Sequence, residues 1–265
     1  SWCRTAPLPV YALGGITGTD HDGSNETAKV TDARGNATTY LRDGFGDVIE
    51  QISPDSGRSV FWYNALGQVK QKNDARGLVT KYKYDALGRR VAEEYPTDTT
   101  LNVTYQYDQT TVQGEASEGI GRLAAALRAS ANYYFTYDDR GNLLADIHKI
   151  NGVSYSARYS YNAASQLMSM TYPSGRIVSY QRDSQGRVSQ ITLQNGAGGT
   201  TTTLVSNATY KPFGPLASFT YGNSIVHTHL YDQDGRITNI TDKYSTTPYQ
   251  SFSFGYEWAG NIVTL

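Results

Sequence analysis

The sequence predicts an all-β chain, an antiparallel meander of tandem β-hairpins. Three observations carry this. A glycine-centred turn recurs with a minimal period near 21 residues, and a repeat of that length has to be one supersecondary unit. Aromatic or β-branched side chains stand two residues apart ahead of most turns, a strand periodicity. A second set of turns falls about halfway between the first.

Residues 1–29 read as a partly irregular lead-in and residues 30–265 as the tandem repeats. Asp32-Ala33-Arg34-Gly35 leads into the first copy. The clearest copy is Tyr82-Lys83-Tyr84-Asp85-Ala86-Leu87-Gly88-Arg89-Arg90-Val91, with close relatives at Tyr137–Leu143 and Tyr231–Ile237. Degenerate copies run over Tyr63–Val69 and Tyr161–Leu167, and weaker ones over Arg182–Val188, Tyr210–Leu216 and Tyr256–Ile262. The turn position is held by Gly46, Gly67, Gly88, Gly121, Gly141, Ser165, Gly186, Gly214, Gly235 and Gly260, at spacings of 21, 21, 33, 20, 24, 21, 28, 21 and 25 residues. The long spacing marks one copy split by an insertion, with Tyr107-Asp108 on one side of Gln109–Glu118 and Gly121-Arg122-Leu123 on the other.

Each copy makes sense as a hairpin. Pairs such as Phe61/Tyr63, Tyr82/Tyr84, Tyr105/Tyr107, Phe135/Tyr137, Tyr159/Tyr161 and Phe254/Tyr256 form the incoming strand. Asp or Asn then opens a turn by bonding nearby amides, and Gly three residues later supplies positive φ. Two residues beyond the glycine an apolar side chain starts the next strand, and only Arg90 breaks that series. The second turns sit at Gly57, Gly77, Gly175 and Gly196, which lie 11, 10, 10 and 10 residues after the preceding main turn. Leu123-Ala124-Ala125-Ala126-Leu127 has high helix propensity, yet its place in the repeat makes it a strand.

Charge excludes some functions. The chain has 23 basic and 24 acidic residues, a net charge of -1. It therefore lacks the basic patch of a nucleic-acid binder and the cationic clusters that hold anionic lipid. No stretch approaches the roughly 18 apolar residues of a membrane helix, so no membrane span is expected. Cys3 is the only cysteine, which excludes a disulfide framework and a thiolate metal site. The start at Ser1-Trp2-Cys3-Arg4 and the end at Leu265 inside a strand read as cut ends of a longer protein.

Tyr-Asp-x-x-Gly-Arg followed by a strand, repeated in tandem from about Val30 to Leu265, resembles the rearrangement-hotspot (RHS) or YD-repeat family. The resemblance implies a long β-sheet ribbon coiled into a hollow shell. In bacterial members the shell encloses a toxic C-terminal domain, and similar shells occur in insecticidal toxin complexes and in animal teneurins. Gram-negative bacterial members resemble this chain best, in their dense Asp-Ala-x-Gly-Arg/Asn turns. The Asp-Pro-x-Gly-type motif at which the family's shell is plugged and its toxin released is absent, so no residue inherits an autoproteolytic role. What the resemblance leaves is the middle of a shell wall. Its partners would be the remainder of the shell, an enclosed toxin domain and a secretion apparatus, in a secreted or cell-surface bacterial setting.

Sheet cohesion should come from cross-strand pairs, to which the 22 tyrosines contribute. Tyr suits this because a broad ring packs while its hydroxyl meets water. Ladders of Tyr rings are expected at equivalent repeat positions on one face. Open sheet edges near either end should pair with further protein.

Five places could carry chemistry. His227-Thr228-His229 sets two imidazoles on one strand face, a spacing that can suit a metal, but with no local carboxylate or third His it reads as two polar side chains filling slots before Tyr231. His21 and His148 read as isolated surface residues. Thr19–Glu26 concentrates oxygen ligands but lacks the spacing of a calcium loop, and reads as a solvated loop. Asp232-Gln233-Asp234-Gly235 is the repeat's own turn, and Gly196–Gly199 reads as a flexible hairpin tip. With no nucleophile elbow or phosphate loop, no catalytic, cofactor or metal residue is assigned. Enclosure of a polypeptide is the preferred function. A carbohydrate-binding module on Tyr-rich faces is the alternative, and a β-propeller enzyme with two repeats per blade is the third.

Overall fold

In the computed structural model, residues 17–212 and 214–264 are described. Cys3 and the rest of the opening segment lie outside the described residues, as do Phe213 of one weak repeat copy and Leu265. Among the described residues there is no α-helix; a single 3₁₀ turn, Thr99–Leu101, is capped by the Asp98 carboxylate.

Two compact units are present. The first comprises residues up to 108 with 121–133 and 150–152. Its strands are β1 (Gly18–His21), β2 (Thr27–Thr31), β3 (Ala37–Arg42), β4 (Val48–Ser53), β5 (Gly57–Tyr63), β6 (Val69–Asn73), β7 (Val79–Tyr84), β8 (Arg90–Glu94) and β9 (Val103–Tyr107). Each pairs antiparallel with the next. The Gln109–Glu118 insertion carries a miniature hairpin of β10 (Thr111–Val112) and β11 (Glu115–Ala116), and its tip takes positive φ at Gln113 and Gly114. The first unit's meander then continues from β9 to β12 (Leu123–Leu127). Leu123–Leu127 is thus a strand despite its alanines, because β9 offers ladder partners and Ala124 and Ala125 are buried there.

The second unit comprises 109–120, 134–149 and 153 onward. After β13 (Ala131–Tyr137) and β14 (Leu143–Ile150) come β15 (Val153–Tyr161), β16 (Leu167–Thr171), β17 (Ile177–Arg182), β18 (Val188–Gln194), β19 (Thr201–Tyr210), β20 (Leu216–Tyr221), β21 (Val226–Tyr231), β22 (Ile237–Tyr244) and β23 (Thr247–Ser253). From β15 to β23 each strand pairs antiparallel with its successor. The short β24 (Gly255–Tyr256) and β25 (Ile262–Thr264) flank the last described turn. Neither meander breaks into four-stranded blades, which overturns the propeller reading.

The main turns are built as expected and share one construction. In the clearest copy the Asp85 carboxylate accepts from the amides of Leu87 and Arg89 at 3.0 and 2.9 Å, while the Gly88 amide donates to the Asp85 carbonyl at 3.0 Å. Gly88 sits at φ 78°. Ser165 occupies the same left-handed conformation at φ 58°, so the serine copy keeps the turn at some strain. In the split copy Asp108 still donates to the Arg122 carbonyl, and its carboxylate accepts from Gly121 at 2.6 Å. The main turns also shift the register of the hairpins they close, as between Lys83 and Tyr84, Trp62 and Tyr63, and Leu230 and Tyr231. Each such shift is a bulge, with one extra residue on the outgoing strand.

Little of either unit is buried. Among the described residues the buried apolar side chains are Val103, Val112, Ala124, Ala125, Ala145, Ile147 and Val178. Cohesion therefore rests on ladders and side-chain bonds, which makes the turns critical. Two glycines separate backbone strain from crowding. Gly67 is at φ 72° with open space around an added Cβ, whereas Gly57 is at φ 68° and its Cβ would meet that of Ala75 at 2.5 Å. Gly67→Ala is expected to cost about 1–2 kcal/mol, the left-handed penalty alone. Gly57→Ala should cost clearly more, since neither Cβ has a flexible stem. Urea midpoints of the two variants check the ranking, and equal losses would show that the Gly57–Ala75 approach is not tight.

Candidate functional site

The polar side chains converge on the margin that carries the main turns. At the start of most outgoing strands the ladder to the following strand begins two residues late, and on β18 three. The β6–β7 ladder starts at Gln71 and the β4–β5 ladder at Glu50, which leaves the carbonyls of Val69 and Val48 without a strand partner. The motif tyrosine of the next repeat fills the gap: Tyr84 donates its hydroxyl to Val69 and Tyr63 donates to Val48, both at 2.8 Å. The same bond joins Tyr107 to Arg90, Tyr210 to Val188, Tyr231 to Leu216 and Tyr256 to Ile237, at 2.7–3.0 Å. Where the motif has Arg in place of Tyr, the guanidinium does the work. Arg182 donates to Leu167 at 2.8 Å and Arg42 to Thr27 at 3.4 Å, and each also bonds the carbonyl of its own turn glycine.

The residue after the turn glycine completes the link. Arg89, Arg187 and Arg236 each pair with the Asp of their own turn. Each also stacks on the next motif tyrosine, with 4.5, 4.6 and 4.9 Å from guanidinium carbon to ring centroid. Gln68 and Gln166 instead bond Asn64 and Asn162 within the turn and reach the Gly88 and Gly186 carbonyls of the next one. Arg89 further grips Asp108 with two nitrogens at 3.0 and 2.6 Å. Turn is tied to turn.

This corrects two expectations. In six copies the motif hydroxyl bonds the main chain and does not simply face water. Equivalent tyrosines also do not stack on one another. They lie two strands apart, about 9.5 Å, beyond the roughly 4.5–7 Å of ring contact, and a guanidinium or amide spans the interval. Sequence reasoning missed these bonds, although one signal was present: the copies that lack Tyr at this position carry Arg, another long donor.

The acidic loop of Thr19–Glu26 is exposed to solvent and is in addition another repeat turn. Asp22 accepts from the amides of Ser24 and Glu26 at 2.9 and 3.0 Å, and Asn25 takes the glycine's place at φ 63°. Asp22 Oδ1 is thus directed at the main chain, while the Asp20 carboxylate pairs with Lys29 at 3.5 Å. His148 is not isolated either, since its Nε2 lies 2.8 Å from an Asp146 oxygen.

His227 and His229 share a face as their spacing implied, but the absence of a local carboxylate is overturned. Strand pairing sets Asp242 of β22 directly across from His227, with its Oδ1 2.7 Å from His227 Nδ1. His227 Nε2 meets His229 Nε2 at 2.7 Å, His229 Nδ1 meets the Tyr231 oxygen at 3.1 Å, and Tyr231 donates to the Leu216 carbonyl. Burial, and after it the neighbouring His227, lower the pKa of His229. Among the described residues no group of three or more His, Cys, Asp or Glu is placed to hold a metal ion, and no helix is long and apolar enough to cross a membrane.

The RHS repeat family model matches residues 63–100, 137–177 and 161–201, and each match begins on a motif tyrosine. These stretches of the chain are therefore similar to the RHS repeat. It is 28% identical over 175 residues to double-stranded DNA deaminase toxin A of Burkholderia cenocepacia (strain H111), an alignment covering 63% of this chain and 11% of that protein. Its fold matches a chain of the TcdB2-TccC3 crystal structure lacking the hypervariable C-terminal region, with a TM-score of 0.79 and 17% identity over 94% of this chain and 14% of the other. A chain of the Photorhabdus luminescens Tc holotoxin pore matches equally well, with a TM-score of 0.79 and 18% identity over 94% of this chain and 13% of that one. The chain spans between a tenth and a seventh of the length of these relatives.

Acid should undo the turns as their carboxylates protonate. The Arg89 guanidinium, helped by the Gly121 amide, holds the Asp108 carboxyl down at about 2. Hydrogen bonds from Asn142, Arg76 and Asn36 lower Asp138, Asp74 and Asp32 in the same direction. A depressed carboxylate stabilises the fold above its unfolded pKa near 3.9, and this is lost as pH falls through the folded value. His229, also depressed, withdraws its contribution as pH falls below about 6.5. The thermal midpoint is expected to sag slightly below pH 6.5 and to drop between pH 4 and about 2, with a smaller second drop in Asp108→Asn. A midpoint that stays flat down to pH 2 would contradict this.

Proposed function

We propose that this RHS-repeat segment is a length of shell wall that helps to enclose a polypeptide payload, within a secreted bacterial toxin. The observation that carries this reading is the turn-to-turn chain. Every phenol-to-carbonyl bond joins one repeat to the one before it, so a sheet built this way extends by addition of repeats, and its polar groups are consumed in holding it together. The toxin relative and the match to Tc toxin chains support the same reading. The segment then acts as a wall without catalysis, and its partners are further wall and the enclosed polypeptide.

Exposed apolar side chains add support. Phe45, Leu66 and Leu87 each precede a main-turn glycine and are 94, 79 and 77% exposed. Large apolar groups recurring at turn tips along one margin suit burial by neighbouring protein, as do open sheet edges. The carbohydrate reading is weaker, because the motif tyrosines it would recruit already give their hydroxyls to the main chain.

In the full-length protein that carries this segment, any enclosed polypeptide is expected to survive protease under native conditions and to be digested once denaturant opens the wall. A payload cut at the rate of a free linker would overturn enclosure. Retention by a glycan array through this segment would favour sugar binding instead.

A further inference from the structure

The histidine pair on β21 has a proton arrangement that its neighbours dictate. Tyr231 has one hydroxyl hydrogen, and it goes to the Leu216 carbonyl at 2.7 Å. The Tyr231 oxygen can then only accept from His229, so His229 carries its proton on Nδ1. Asp242, an acceptor when ionised, faces Nδ1 of His227 at 2.7 Å, so His227 also carries a proton on Nδ1. Both Nε2 atoms are left as lone pairs, yet they face each other at 2.7 Å. Two lone pairs at that distance repel unless a proton lies between them or a metal ion beside them is shared by both.

We infer that His227 and His229 form a two-imidazole binding site for a divalent ion of the copper(II) or nickel(II) class, with Asp242 and Tyr231 as the groups that orient the ligands. Ligating imidazoles typically donate their other N–H to a carboxylate or another oxygen, which fixes the tautomer and raises ligand basicity. Both rings here are held in that way. Two nitrogens about 2.05 Å from a metal lie about 2.9 Å apart at right angles and about 3.3 Å apart at the tetrahedral angle. The observed separation is nearer the first, so a tetragonal ion needs the smaller opening of the pair. Phe219, directly across from His227 on β20, closes one side with its ring centroid 4.7 Å from the imidazole. With two protein ligands, water completes the coordination sphere, and affinity in the micromolar range is expected.

The probe is copper(II) added to the chain at neutral pH in a Cys3→Ser background, which removes the lone thiol as a competing ligand or reductant. Calorimetry should give one ion per chain, and electron paramagnetic resonance a tetragonal signal split by two nitrogens. Of the four histidines, only His227 and His229 should show paramagnetic broadening of their ring resonances. His227→Gln and His229→Gln should each abolish the two-nitrogen signal, and Asp242→Asn should weaken binding about tenfold or more. The wild-type spectra decide the matter even where a variant fails to fold. A single-nitrogen signal, broadening centred on His21 or His148, no binding at tens of micromolar copper, or undiminished binding in a folded His227→Gln/His229→Gln variant would each overturn the site.

Discussion

The structure depends on a carbonyl that the sheet cannot satisfy by itself. The main turns end in a bulge, and the bulge mostly delays the next ladder by two residues. A main-chain acceptor at the start of these outgoing strands is left over, and leaving such a group unpaired costs roughly 1–3 kcal/mol where water is excluded. A phenol on the following repeat is long enough to reach it and rigid enough to lose little entropy in doing so. The defining tyrosine of the repeat is thus the answer to a backbone problem created by the turn one repeat earlier.

The remaining motif residues follow from that bond. Asp closes the turn through two amides, glycine permits the left-handed residue, and the Arg beyond it is anchored by the Asp and stacked over the next tyrosine. Tyr, Asp, Gly and Arg therefore form one continuous contact path along the margin. A wall made this way needs almost no aliphatic core, in keeping with the few buried apolar side chains found. It also leaves the residue before the glycine free to vary, from Phe45, Leu66 and Leu87 to Arg140, Gln185 and Asp234.

The turns were legible because their requirements are local: Asp and Gly three residues apart specify the reversal whatever surrounds it. Leu123–Leu127 could be assigned against its helix propensity because the register of the repeat outweighed a weak residue preference. The bonds between repeats were not legible. They join a side chain to a main-chain oxygen typically 15 residues earlier, and which oxygen is orphaned depends on a bulge that alternation does not reveal. The same holds for Asp242, which meets His227 only because β21 and β22 pair in one register. Asp22 was overlooked as a turn because Asn25 stands where the pattern called for glycine.

The claim that the tyrosine is present to donate a hydrogen bond to the preceding repeat is tested most directly at Tyr84, by comparing the stability of Tyr84→Phe and Tyr84→Arg in urea. Phe keeps the ring and removes the donor; Arg removes the ring and keeps a donor, as Arg42 and Arg182 do. The account predicts a loss of about 1–2 kcal/mol for Phe and a substantially smaller loss for Arg. If Phe matched the wild type while Arg was severely destabilised, ring packing and not the carbonyl would hold the repeats together.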